Sequence, residues 1–128
     1  MRVEQRRSVI QWALLLCLLI VGCSAAPLAR SPQVGSGDPV IGRRLITDYG
    51  CVGCHVVPGV RAEPAFVGPP LIHWGQRSYI AGTLNNNSDN LVRWISNPQE
   101  VEPGTAMPNL NVDERDARNI AAYLLSLE

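Results

Sequence analysis

"YGCVGCHVV", residues 49–57, brings two thiols and an imidazole within five consecutive positions, Cys51 to His55. A disulfide, half of a zinc site, a thiol redox pair and a haem anchor all draw on these residue types. A structural zinc ion takes four protein ligands. Beyond this cluster, residues 24–128 add only His73, and three adjacent ligands crowd one side of a tetrahedron. A thioredoxin-like pair expects a βαβ setting, which the sequence does not supply. Cys-x-x-Cys-His in an exported chain is the attachment sequence of a c-type haem. Two cysteines three apart at a helix start face one side, so each thiol reaches one vinyl group of the porphyrin and His55 is aimed at the iron.

Export is legible at the N-terminus. Arg2, Arg6 and Arg7 form a positive patch, and Val9–Gly22 is apolar apart from Gln11. As a helix that run spans roughly 21 Å, short of a hydrocarbon core of about 30 Å, and it suits an export signal better than a membrane span. "IVGC", residues 20–23, resembles a bacterial lipobox, with Cys23 as the lipid acceptor. Cys17 follows the bulky Leu16, and a cut after Ala26 would place Pro27 just beyond it. The expected organisation is therefore a signal with lipobox over 1–23, a flexible tether over 24–37 and one domain over 38–128. Of four cysteines only Cys51 and Cys54 then remain in the domain, so no disulfide framework exists.

The tether, "SAAPLARSPQVGSG", has a root-mean-square reach of about 20 Å. The chain's formal net charge is zero, which argues against a nucleic-acid binder. All eleven basic residues are arginine. Residues 24–128 hold eight arginines against ten acids, a net of −2, so long-range steering toward an acidic partner is weak.

Three helices are predicted. Pro39 to about Tyr49 carries Ile41, Leu45 and Tyr49 four apart behind an Asp38-Pro39 opening. About Asp89 to Ser96 places Leu91, Trp94 and Ile95 on one face and stops before Pro98. About Asp113 to Leu127 buries Ala117, Ile120, Tyr123 or Leu124, and Leu127, with Asn111 and Glu114 at capping-box spacing. Residues 58–70, 82–88 and 98–110 read as Pro- and Gly-rich loops, and no stretch alternates well enough to predict a strand. An all-α domain of this size with such long loops needs something else to hold them, and a large buried cofactor would serve.

A haem iron held by His55 needs a sixth ligand. Met107 is the only methionine in the domain, and "PGTAMP", residues 103–108, sets it in a proline-clamped loop rather than on an apolar helix face. His73 competes less well, because it follows the loop on the Cys-His side and reads as a rim histidine.

The motifs "CVGCH" (51–55), "GPPL" (68–71), "WISNP" (94–98), "PGTAMP" (103–108) and "AAYLLSL" (121–127) occur in an order and spacing that resemble a class I, mitochondrial-type cytochrome c, nearest the small bacterial membrane-linked lipoprotein forms. The resemblance implies the cytochrome c fold, three main helices and long loops around one covalent haem c on Cys51 and Cys54. It implies that His55 and Met107 are the axial ligands and that the Pro69 carbonyl accepts from Nδ1–H of His55. It places Trp94 beside the haem, and Gly42 and Tyr49 against Tyr123 and Leu124. Arg77 and Tyr79 become candidates for a haem propionate. The chain departs from the mitochondrial pattern in two ways. "TLNNNSDN", 83–90, has no tryptophan to match the mid-loop one, and no lysines form a docking ring.

Six ligands leave no place for a substrate, so the expected function is electron transfer between respiratory-chain components at the membrane, and not catalysis. A haem-relay subunit of a larger dehydrogenase or oxidase, and an open-site haem enzyme or gas sensor, are the alternatives. The expected partners are integral membrane redox complexes (an oxidase, a bc1-type complex or a dehydrogenase) and the membrane itself through the lipid, with no nucleic acid and no small-molecule substrate. The expected location is the periplasmic side of a bacterial membrane, lipid-anchored, with a soluble periplasmic protein as the second choice.

Overall fold

The structure, a computed structural model, describes residues 36–63 and 65–128. The expected signal, the lipidated Cys23 and the tether up to residue 35 lie outside the described residues. Four α-helices and one small hairpin follow in chain order: α1 (Pro39–Asp48), β1 (Tyr79–Ile80), β2 (Leu84–Asn85), α2 (Ser88–Ser96), α3 (Pro98–Val101) and α4 (Glu114–Leu125). Single 3-10 turns occupy Cys51–Gly53 and Trp74–Gln76. Among the described residues no helix is long and apolar enough to cross a membrane.

Each longer helix starts on a side-chain cap that satisfies otherwise unpaired N–H groups. Asp38 Oδ1 accepts from the amides of Val40 at 2.8 Å and Ile41 at 3.2 Å, with Pro39 in the first turn. Asn87 Oδ1 accepts from Asn90 N at 2.9 Å. The expected Asn111–Glu114 capping box does not form. Asn111 sits in the left-handed region at φ 54°, and Asp113 is the cap, accepting from Asp116 N at 2.9 Å.

Helices α1 and α4 cross with backbones nearly touching. A Cβ on Gly42 would lie 1.9 Å from the carbonyl oxygen of Asn119, so only glycine permits this approach. Gly42 thus meets α4 most closely at Asn119 and Ile120, about a turn before Tyr123 and Leu124. Tyr49 likewise reaches back, its hydroxyl donating to Asp116 Oδ2 at 3.0 Å. Gly37, assigned to the tether by sequence, also abuts α4, where its Cβ would meet Arg118 O at 2.1 Å.

Three further expectations are corrected. The third predicted helix stops at Leu125, with Ser126 as its C-cap, and the Leu127 carbonyl instead accepts from Gly75 N at 2.8 Å. A short helix, α3, interrupts the predicted 98–110 loop, because Pro98 closes α2 and then serves as the first residue of α3. The domain also contains strands: Tyr79 pairs with Asn85 and Ile80 with Leu84, antiparallel. Two residues per strand are too few to show a period of two. Their turn is made by Ala81 and Gly82, both at positive φ.

The core is the joint face of these helices. Ile46 of α1, Leu91 and Ile95 of α2, and Ile120 and Leu124 of α4 are buried together with Ile80 from the hairpin. Each such side chain contributes about 1.5–3 kcal/mol through apolar burial. The same helix faces form one wall of a cavity.

Candidate functional site

That cavity has a volume of about 560 Å³, within the range of cofactor sites. Cys51, Cys54, His55, Pro69, Arg77, Tyr79, Trp94 and Met107 all line it. Residues drawn from four separate segments of sequence are thus brought to one space, whose remaining wall is the apolar core. His73 does not line it and is exposed.

Tyr49 caps α1 and Gly50 follows at φ 74°, a left-handed conformation that glycine adopts without penalty. The chain therefore leaves α1 into a 3-10 turn, so the cysteines lie just past a helix end and not at a helix start. Backbone amides of Cys54 and His55 both bond to the Cys51 carbonyl, at 3.2 and 3.0 Å. The two thiols are not joined to each other. Burial, reinforced by the neighbouring Cys54, pushes the Cys51 thiol up. A reactive thiolate needs the opposite environment, and the redox-pair reading loses ground. Among the described residues no group of three or more His, Cys, Asp or Glu side chains is placed to hold a metal ion.

His55 is oriented by a loop that fits around it. Gly68 N donates to Cys54 O and Leu71 N to Val56 O, each at 2.8 Å, binding residues 68–71 alongside 54–56. That pairing sets Pro69 O 2.7 Å from His55 Nδ1. A carbonyl can only accept, so Nδ1 carries the proton, which in the neutral ring leaves the lone pair on Nε2, the tautomer in which an imidazole ligates metals through that atom. Gly68 forms the cradle: a Cβ there would stand 2.3 Å from His55 Cε1 and 2.6 Å from Nδ1.

Met107 is supplied by a loop stapled by Gln99 of α3. The Gln99 amide Nε2 donates to Thr105 O at 2.8 Å and Met107 O at 3.0 Å, and its Oε1 accepts from Gly104 N at 3.2 Å. Thr105 N closes a turn onto Glu102 O at 3.1 Å, and Gly104 supplies the positive φ of 86°. Sequence reasoning missed Gln99, because a polar side chain one residue after a proline carries no signal of the loop it will hold.

At another part of the wall, the Arg77 guanidinium donates to the carbonyls of Pro70 and Ile72 and lies 4.7 Å from the centre of the Trp74 ring. Tyr79 is largely exposed at the cavity edge. Asn86 Nδ2 donates to Trp74 O at 2.9 Å and Arg77 O at 3.0 Å, so the asparagine-rich stretch holds this corner in place. Trp74, also missed from sequence, is buried, lines the cavity, and has an indole N–H with no protein acceptor. The cavity therefore fits a large, flat, mostly apolar group with acidic substituents. It offers two thiols and an imidazole on one wall, a thioether from a separate loop, and an arginine with an uncommitted indole donor.

Comparison with known proteins agrees with this chemistry. Residues 40–128 match the family model of Cytochrome c. The chain is 39% identical over 88 residues to a cytochrome c oxidase subunit 2 of Alkalihalophilus pseudofirmus, covering 68% of this chain and 25% of that protein. It is 30% identical over 106 residues to a cytochrome c oxidase subunit 2 of Bacillus sp. strain PS3, covering 80% and 28%. The corresponding protein of Bacillus subtilis is 33% identical over 84 residues, covering 64% and 24%. The chain spans about a quarter of the length of these curated relatives.

Proposed function

Since the chain belongs to the cytochrome c family, we propose that it is a single-haem electron carrier with His55 and Met107 as axial ligands, delivering electrons to a respiratory oxidase at a membrane. The all-α cytochrome c fold, covalent haem c on Cys51 and Cys54, and haem electron transfer follow from the family itself. When bound, the haem supplies reversible one-electron chemistry at iron.

The observation that carries the ligation reading is the meeting of Cys51, Cys54, His55 and Met107 on one cavity, with the His55 ring fixed by Pro69 O at 2.7 Å. Cys51 and Cys54 hold the group on one wall. His55 presents Nε2, and the Pro69 carbonyl keeps the ring from rotating away. Met107 offers a soft thioether that favours ferrous iron, and the core residues around it disfavour the extra charge of ferric iron, so both raise the potential. The Gln99 staple and the flanking prolines Pro103 and Pro108 stiffen the Met107 loop. Arg77 is the proposed partner of a propionate, with Tyr79 beside it and Trp94 on the cavity wall.

Carbon monoxide tests this closed-site reading. The ferrous protein near neutral pH should show no spectral change; rapid, complete binding at low gas concentration would favour the enzyme or sensor alternative.

The oxidase as partner is suggested by the relatives, whose names place them in cytochrome c oxidase. A haem-relay subunit of such a complex is the second reading, favoured by the same similarity. The electron source, a bc1-type complex or a dehydrogenase, is part of the proposal. So is the location, the periplasmic side of a bacterial membrane with lipid on Cys23. A lipid anchor with a tether of about 20 Å reach would raise the local concentration of the haem domain at membrane complexes.

A further inference from the structure

Helix α1 turns Gly42, Leu45 and Ile46 inward, yet its first turn leaves two aliphatic side chains in water. Val40 is 78% exposed and Ile41 45%. One turn further along stand Arg43 and Arg44, both exposed. Arg44 lies 3.3 Å from Asp48, and among the described residues no carboxylate pairs with Arg43. Asp38, the acid nearest in sequence, already commits its side chain to the Val40 and Ile41 amides. The chain enters the domain at this same place, and the entry point is fixed. Asp38 N donates to Asn119 Oδ1 at 2.8 Å, and a Cβ on Gly37 would lie 2.1 Å from Arg118 O. Residues 24–36 alone separate that point from Cys23. The cavity lies toward the other end of the helix. Ile46 is the first residue of α1 on its wall, with Gly50 and Cys51 following, and Val40 to Asp48 spans roughly 12 Å of helix axis.

We propose that the first turn of α1 is a foot that rests on the phospholipid surface, with Val40 and Ile41 in the headgroup–acyl boundary and Arg43 and Arg44 on lipid phosphates. The inference rests on the lipid at Cys23 proposed above and adds the part of the domain that meets the membrane. The order of residues along the helix matches the layers of that interface. Apolar side chains of an interfacial helix enter about 5–10 Å into the headgroup–acyl boundary. One turn back along α1 is about 5.4 Å higher, at the level of the phosphates. Helical side chains lean toward the N-terminus, so the arginine stems reach down toward the lipid and their guanidinium forks suit phosphate oxygens. The anchor selects lipid as the occupant. Two aliphatic side chains are a weak foothold for a free protein, but on a tether of about 20 Å reach the contact becomes intramolecular. This turn is also the part of the domain that the tether joins first. With the N-terminus of α1 on the surface, the cavity at its other end is held off the bilayer.

The test uses the haem-loaded, lipidated chain on phosphatidylcholine vesicles, spin-labelled in Val40→Cys or, for comparison, in Thr47→Cys, an exposed position nearer the other end of α1. Collisions of each label with oxygen, which concentrates in lipid, and with a water-soluble nickel chelate are read from power saturation. On vesicles the label at 40 should lose nickel collisions by roughly threefold or more and gain oxygen collisions, relative to the vesicle-free Cys23→Ser chain. The label at 47 should change little. Adding Ile41→Asp to the label at 40 should restore most of the nickel collisions, with the haem spectrum and midpoint potential unchanged. Nickel access at 40 equal to that at 47 on vesicles would overturn the proposal, as would a label at 40 indifferent to Ile41→Asp. Shielding of residue 40 that persists without vesicles and grows with protein concentration would also overturn it, assigning this turn to self-association. A wild-type chain that does not stay on the vesicles would refute the lipid at Cys23 and this inference with it, whereas a chain that stays with residue 40 open to nickel would refute the foot alone.

Discussion

A Cβ placed on Gly68 would stand 2.3 Å from Cε1 of His55, so the imidazole itself excludes any side chain at residue 68. The same residue donates its amide to Cys54 O, and the next one sets its carbonyl against Nδ1. Gly68→Ala must displace either the ring or the loop. Overpacking of this kind costs about 1–3 kcal/mol, and thermal unfolding of the haem-loaded protein should show a correspondingly lower midpoint. A wild-type melting curve would mean that the ring is not wedged against residue 68.

Gln99 joins α3 to the Met107 loop through three hydrogen bonds. Exposed as they are, each is worth no more than about 0.5–1.5 kcal/mol, so Gln99→Leu should leave folding cooperative while loosening the loop. Added cyanide or imidazole should then bind ferric iron at least several-fold faster in the variant. Equal binding rates would show that the prolines alone restrain Met107.

Tyr123 is buried, and its hydroxyl donates to the Pro58 carbonyl. Burial raises its pKa, as the bond from Tyr49 to Asp116, with burial added, raises that of Tyr49. Raised values mean that the folded state holds these protons more tightly than the unfolded chain. The stabilisation is present in full below the unfolded value of about 10 and is lost as pH rises above it. Denaturant melts from pH 9 to about 11 should show declining stability, and Tyr123→Phe should flatten part of that decline while lowering stability at pH 7 by about 1 kcal/mol.

Cys23→Ser should leave the haem spectrum unchanged and release the protein from membranes into the soluble fraction. Continued fractionation with membranes after a salt wash would refute the lipobox reading.

What the sequence disclosed, and what it withheld, follows from the range of the interactions involved. The Cys51–Cys54–His55 cluster is local chemistry at fixed spacing, and the helices carry their own caps and apolar periods, so both were legible. Met107 could be proposed because proline and glycine mark its loop. The hairpin was invisible, since two-residue strands are held by a turn at Ala81–Gly82 and by Asn86 rather than by any pattern of their own. Gln99 and Trp74 were missed for a related reason. One acts through backbone atoms five to eight residues away and the other through a cavity that exists only once the chain is folded. The Asn111–Glu114 box failed because Asp113 offered an equally good cap closer to the apolar stripe of α4.

The central claim is that His55 and Met107 hold the iron between them, and the midpoint potential of Met107→Ala against wild type tests it most directly. Loss of the thioether should lower the potential by more than about 60 mV, a tenfold shift in a one-electron equilibrium, with the haem still covalently attached. An unchanged potential would remove Met107 from the iron and contradict the account.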